Sequence, residues 1–179
     1  MVQAMPSQDQ HFESLIAKTL ERLIPIFEEI EGSSDRSAAI TAAAYFEEAI
    51  VRAIKKRFVP LSNTKRSDIF EGYGPLSTLS AKIDIAYALG IYKKNTRVDL
   101  QRARKIRNFF AHEADKRSFD NEPIAKLCLS LQRPSMKRET GGHSDHNSPR
   151  DCYLLTLKEI GYALSVNVNA LPSEYIDLP

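Results

Sequence analysis

Apolar residues recur along this chain at spacings of three and four, the signature of helices with one buried face, and no stretch alternates as a half-buried strand would. The first such stripe is Phe12, Leu15, Ile16, Leu20, Leu23, Ile26, Phe27 and Ile30. It predicts a helix from about Gln8 to Ile30, with Pro25 kinking or interrupting it. Gly32-Ser33-Ser34-Asp35 then ends one helix and caps the next. The second helix, Arg36 to Phe58, is alanine-rich in its first half, which lets a neighbour approach closely. Its last turn carries Lys55-Lys56-Arg57, where cations suit the helix dipole.

Pro60 to Gly74 reads as an irregular connector, and Pro75 suits the first turn of a third helix. That helix, with Leu76, Leu79, Ile83, Ala86 and Tyr87 on one face and Ile85, Ala88, Leu89 and Ile91 beside it, is apolar enough all round to be central. Lys82 and Asp84 are its only charges, so each needs a partner or an exposed edge. Further helices are predicted at Asp99 to about Lys116, Glu122 to Leu131 and Asp151 to Val168. Arg133 to Pro149 reads as a polar mobile loop. The fold class expected is all-α, one domain over 1–179 built as an irregular bundle of about six helices.

Composition narrows the class without naming a function. The 179 residues, 42% hydrophobic and 27% charged, suffice for one ordinary core. No apolar run approaches the ~18 residues of a membrane span. The polar Met1–Gln10 segment has no apolar signal core, so a cytoplasmic protein is expected. Cys128 and Cys152 lack metal-ligand spacing and sit in apolar helical patterns, as small core residues do. No cofactor motif is present. Gly72 and Gly74 precede a helix, but they follow no strand and lack the rest of a phosphate loop. His143 and His146 lie in the polar segment with no supporting shell.

The net charge of +2 is nearly balanced, but its distribution is not. Lys93, Lys94, Arg97, Arg102, Arg104, Lys105 and Arg107 lie within fifteen residues that contain one acid, Asp99. The first six form a candidate face for nucleic acid or another polyanion. At about 100° per residue, Leu100, Ala103, Ile106, Phe110 and Ala114 gather on one side of this helix. Arg107 falls within that apolar sector, while Asn108 and His112 fall beside it. An arginine facing a core needs an acceptor, and the acids of the neighbouring apolar helices offer Glu47, Glu48 and Asp84.

Two resemblances bear on function. Arg107-Asn108, three residues, then His112 resembles the short Arg-polar-x-x-x-His signature of the HEPN all-α superfamily, which includes metal-independent endoribonucleases. That resemblance implies His112 as general acid/base, Arg107 as a stabiliser of phosphorane charge and Asn108 as a positioning group at a dimer groove. The second is longer. Phe70 to Gly90, Lys105 to His112, Ser118-Phe119-Asp120, Pro123-Ile124, Leu127-Cys128 and Ser34-Asp35-Arg36 resemble the mannitol operon repressor family, over roughly 35–131. This implies an all-α bacterial transcriptional regulator without catalysis. It would act through nucleic acid or a protein partner, away from membranes, with pairing of two copies also open. No compact helix–turn–helix pair is visible.

Overall fold

A computed structural model describes residues 8–112, 118–132 and 148–170, with side chains described between 13 and 166 of these. The expected polar loop and its two histidines, like the far end of the helix that was to reach Lys116, lie outside the described residues. Seven helices and no strand are found among them: α1 (Gln8–Glu31), α2 (Asp35–Lys55), α3 (Asn63–Phe70), α4 (Leu79–Ala88), α5 (Lys94–His112), α6 (Glu122–Leu129) and α7 (Pro149–Ala170).

Local chemistry sets most of the boundaries. The Ser34, Ser62 and Thr78 hydroxyls each accept the backbone N–H three residues on, at 3.3, 3.3 and 3.2 Å, and cap α2, α3 and α4. α3 adds a helix to the expected six. Its eight residues carry apolar side chains only at Ile69 and Phe70, so no amphipathic stripe announces it. Thr78, not Pro75, opens α4, because the chain is still turning through Gly74: Leu76 N–H donates to the Ile69 carbonyl at 2.9 Å. A Cβ on Gly74 would lie 2.4 Å from the Asp68 carbonyl oxygen, so this glycine serves a close backbone approach. α1 runs through Pro25 without a break. Pro25 is exposed, so water can reach the helix carbonyl that it leaves unpaired.

The bundle is organised around α2 and α7, not around α4. α2 packs against α7, α5, α4 and α1, and α7 also takes α1 and α6. Among the described helices α4 meets only α2 and α5, and it carries an exposed Tyr87. Alanines make α2 the centre: Ala38, Ala39, Ala42, Ala43, Ala49 and Ala53 are all buried. Larger groups fill the space around them. Tyr153 donates to the Ala39 carbonyl at 2.9 Å. Phe110, Phe119 and Tyr153 form a run of rings with centroids 4.7 and 5.4 Å apart, joining α5, the segment before α6, and α7. Cys128 and Cys152 are buried within this core, and burial pushes the Cys128 thiol up to about 12.

The α2–α7 crossing depends on Gly161. A Cβ there would sit 2.6 Å from Cε1 of Tyr45, whose ring is buried and meets Phe27 edge-on. Gly161→Ala should therefore destabilise the protein by about 1–3 kcal/mol despite alanine's better helix propensity. Chemical denaturation checks this: a shift of the midpoint to higher denaturant would show that the ring yields without strain.

Candidate functional site

α5 rests its Leu100, Ala103, Ile106 and Phe110 face on the core, as its spacing predicts. Next to that face, three helices bring three charges together. Glu47 of α2 accepts from Lys82 Nζ of α4 at 2.5 Å through one oxygen and faces Arg107 Nη2 of α5 at 3.9 Å through the other. Lys82 is the buried cation, its side chain 9% exposed; Arg107 is 34% exposed. Arg107 is thus half-buried rather than sunk in the core. It also donates from Nη1 to Asn108 Oδ1 at 3.0 Å.

The other two acids named for Arg107 serve elsewhere. Asp84 accepts from Arg97 at 2.8 Å and from Gln101 at 3.3 Å. Glu48 is exposed and pairs with Arg52 one turn along its own helix. His112 is the last residue of α5 and exposed, and no hydrogen bond or ion pair joins it to Arg107 among the described residues. The five-residue step turns the two side chains about 140° apart on the helix. The three residues of the nuclease-like signature are thus split: Arg107 and Asn108 touch each other, and His112 stands apart.

The basic stretch is less available than its composition suggests. Arg97 is committed to Asp84 and lies over the Tyr87 ring at 5.4 Å. Arg102 bonds Asp99 at 3.1 Å and the Ser130 carbonyl at 2.7 Å. Arg104 donates to the Gln101 side chain at 2.9 Å. Lys93, Lys94 and Lys105 are exposed and have no acid partner among the described residues. A phosphate backbone would thus meet three free lysines rather than a continuous six-residue face.

Two anchors escaped the sequence reading. Asp99, buried on α5, receives the Gln132 N–H at 3.2 Å on each oxygen, and with Arg102 it ties α5 to the chain just after α6. Burial raises its carboxyl above the ordinary range, against the Gln132 amide and Arg102. Its three-residue step to Arg102 was a usable signal. Asp35 accepts the Phe119 N–H at 3.1 Å and pairs with Arg150 of α7. Arg150 in turn donates to the carbonyls of Glu31 at 3.0 Å and Ser33 at 2.7 Å. One guanidinium thereby joins the end of α1, the start of α2 and the start of α7. Nothing local in the sequence pairs residues 35 and 150.

No group of three or more histidine, cysteine or acidic side chains placed to hold a metal occurs among the described residues, and no helix there is long and apolar enough to cross a membrane. The remaining information comes from relatives. The family model described as "Mannitol repressor" matches residues 24–167. This chain belongs to the mannitol repressor family. The match extends beyond the 35–131 resemblance at both ends and contains the whole Glu47–Lys82–Arg107 cluster, so this cluster lies within a repressor-type regulator. MtlR in the X-ray structure of the MtlR–HPr complex from Escherichia coli has a similar fold. Its TM-score is 0.57 at 20% identity, with 85% of this chain and 99% of that chain covered. The comparison with curated proteins gave no match.

Proposed function

We propose that this mannitol repressor family member regulates through a protein partner in the cytoplasm, with HPr as the first candidate, and that it is not an enzyme. The observation that carries this reading is the chain's likeness to MtlR over nearly all of that protein's length, in a structure where MtlR is held by HPr. The α5 geometry supports it from the other side. Arginines that could have gripped phosphate are turned to Asp84, Asp99 and Gln101 within the molecule. Arg107 faces Glu47, a carboxylate already bonded to Lys82, and His112 stands apart from Arg107. In this reading Glu47, Lys82 and Arg107 hold α2, α4 and α5 in register, with Asn108 bonded to Arg107, and the three free lysines are surface groups. In this reading the described helices act as a single domain.

Nucleic-acid chemistry provides the test. Operator DNA and random DNA should bind equally weakly, and both should be lost together as salt rises. RNA incubated with the wild type and with His112→Ala should remain intact in both. Operator preference that persists at high salt, or cleavage that disappears with His112→Ala, would overturn the proposal.

A further inference from the structure

The three free lysines of the basic stretch are ordered by the helix that carries them. Lys94 and Lys105 are eleven residues apart on α5. At about 100° and 1.5 Å per residue, they stand within about 20° of each other and about 16 Å apart along the axis. Lys93 is next to Lys94 where the helix begins, and all three are exposed. The acids of the flanking helices are engaged elsewhere. Asp84 of α4 is held by Arg97, and Glu47 and Glu48 of α2 by Lys82 and Arg52. Glu122 of α6 is paired with Lys126, and Asp99, the one acid of α5, is buried against Arg102. The outer line of α5 therefore keeps a positive charge that these helices do not offset.

The kind of cation left free decides what this line can do. An arginine fork can grip a base edge with two bonds. The forks of Arg97, Arg102 and Arg104 are turned to Asp84, to Asp99 and the Ser130 carbonyl, and to Gln101. What faces water is lysine, a point charge that meets a phosphate without fixing its orientation. α5 carries no exposed large apolar side chain, and Tyr87 on neighbouring α4 lies under the Arg97 guanidinium at 5.4 Å. The line thus lacks the buried anchor on which protein interfaces depend. Its length of about 16 Å lets two lysine arms reach both phosphate rims of a major groove, itself about 12 Å wide.

We propose that Lys93, Lys94 and Lys105 rest this protein on the phosphate backbone of duplex DNA without reading its sequence. The contact is a tether: it keeps a repressor-family protein close to DNA, and any choice of sequence has to come from elsewhere. It does not depend on which protein partner is held, so it can fail without touching that reading.

The test is fluorescence anisotropy of a short labelled duplex of random sequence, titrated with the whole chain over a salt series. Three phosphate contacts predict that log K falls against log salt with a slope of about −2.7. Lys94→Gln/Lys105→Gln should remove about two-thirds of that slope and weaken binding about 10-fold at low salt, with an unchanged circular dichroism spectrum. Lys56→Gln/Arg57→Gln removes the same charge from exposed positions at the end of α2, and it should leave slope and affinity as they are. No anisotropy change at low salt, an unchanged slope in the α5 variant, or an equal loss in both variants would each overturn the proposal. So would poly-glutamate that competes as well as unlabelled duplex at equal charge, since the face would then suit an acidic protein.

Discussion

Glu47→Ala should lower stability by about 3 kcal/mol or more, because it leaves the Lys82 ammonium without a carboxylate in a site where its side chain is 9% exposed. For a chain of this size that is roughly a 6–12 °C fall in melting temperature. The loss comes mainly from the stranded charge rather than from the missing bond, so a second change separates the two. Lys82→Met in the Glu47→Ala background should recover most of the stability, since an apolar chain of similar length suits the space between α2 and α4. Arg107→Ala should cost only about 0–1 kcal/mol, because its guanidinium is a third exposed and stands 3.9 Å from Glu47. A severe loss with Arg107→Ala and a mild one with Glu47→Ala would reverse the roles given to these residues. Thermal melts of the wild type and these three variants decide it.

Arg150→Ala should cost about 2–4 kcal/mol, since it removes charge-assisted bonds to Asp35 and to the carbonyls that end α1 and precede α2. The same anchor gives a pH signature. Burial alone pushes the Asp35 carboxyl up, but the Phe119 amide and the Arg150 guanidinium outweigh it and hold the group below its ordinary value of 3.8. A carboxyl whose folded-state value is depressed adds stability above its unfolded value, and that stability is lost as pH falls through the folded value. Stability measured from pH 6 downward, a range of roughly three units spanning the ordinary carboxylate values, should therefore fall more steeply in the wild type than in Asp35→Asn. The comparison with Asp35→Asn isolates this group from Asp99 and Glu159, which burial shifts the opposite way. Parallel curves would mean that Asp35 is not held as a carboxylate in the folded state.

These two anchors show which parts of the molecule are legible in the sequence. Helices with a strong 3.6-residue stripe are readable because each buries its own face; α1, α2, α6 and α7 come out within about three residues, whereas α5 begins at Lys94, five residues before the expected Asp99. α3 does not come out, because it is short, polar and held by a serine cap and Phe70. α4 is misplaced as the centre because apolar side chains all round do not reveal how closely a neighbour can come. The alanines of α2 and Gly161 of α7 do, and they put that pair in the middle.

At the site, the odd charges on apolar helices were visible as residues in need of partners. Which acid meets which cation was not, because the answer depends on side-chain reach across helix pairs. Lys82 could extend far enough to reach Glu47 at bonding distance, while Arg107 lies at the edge of the same cluster. The Asp35–Arg150 contact spans more than a hundred residues of sequence and had no local signal.

The central claim is that this family member works by holding a protein rather than by reading or cutting nucleic acid. Calorimetric titration of the whole chain with unmodified HPr from the same cell tests it most directly. A saturable, one-to-one binding heat that persists in Arg107→Ala and His112→Ala is the predicted result. No binding heat at any concentration, in a protein that retains a salt-resistant preference for its operator, would contradict it.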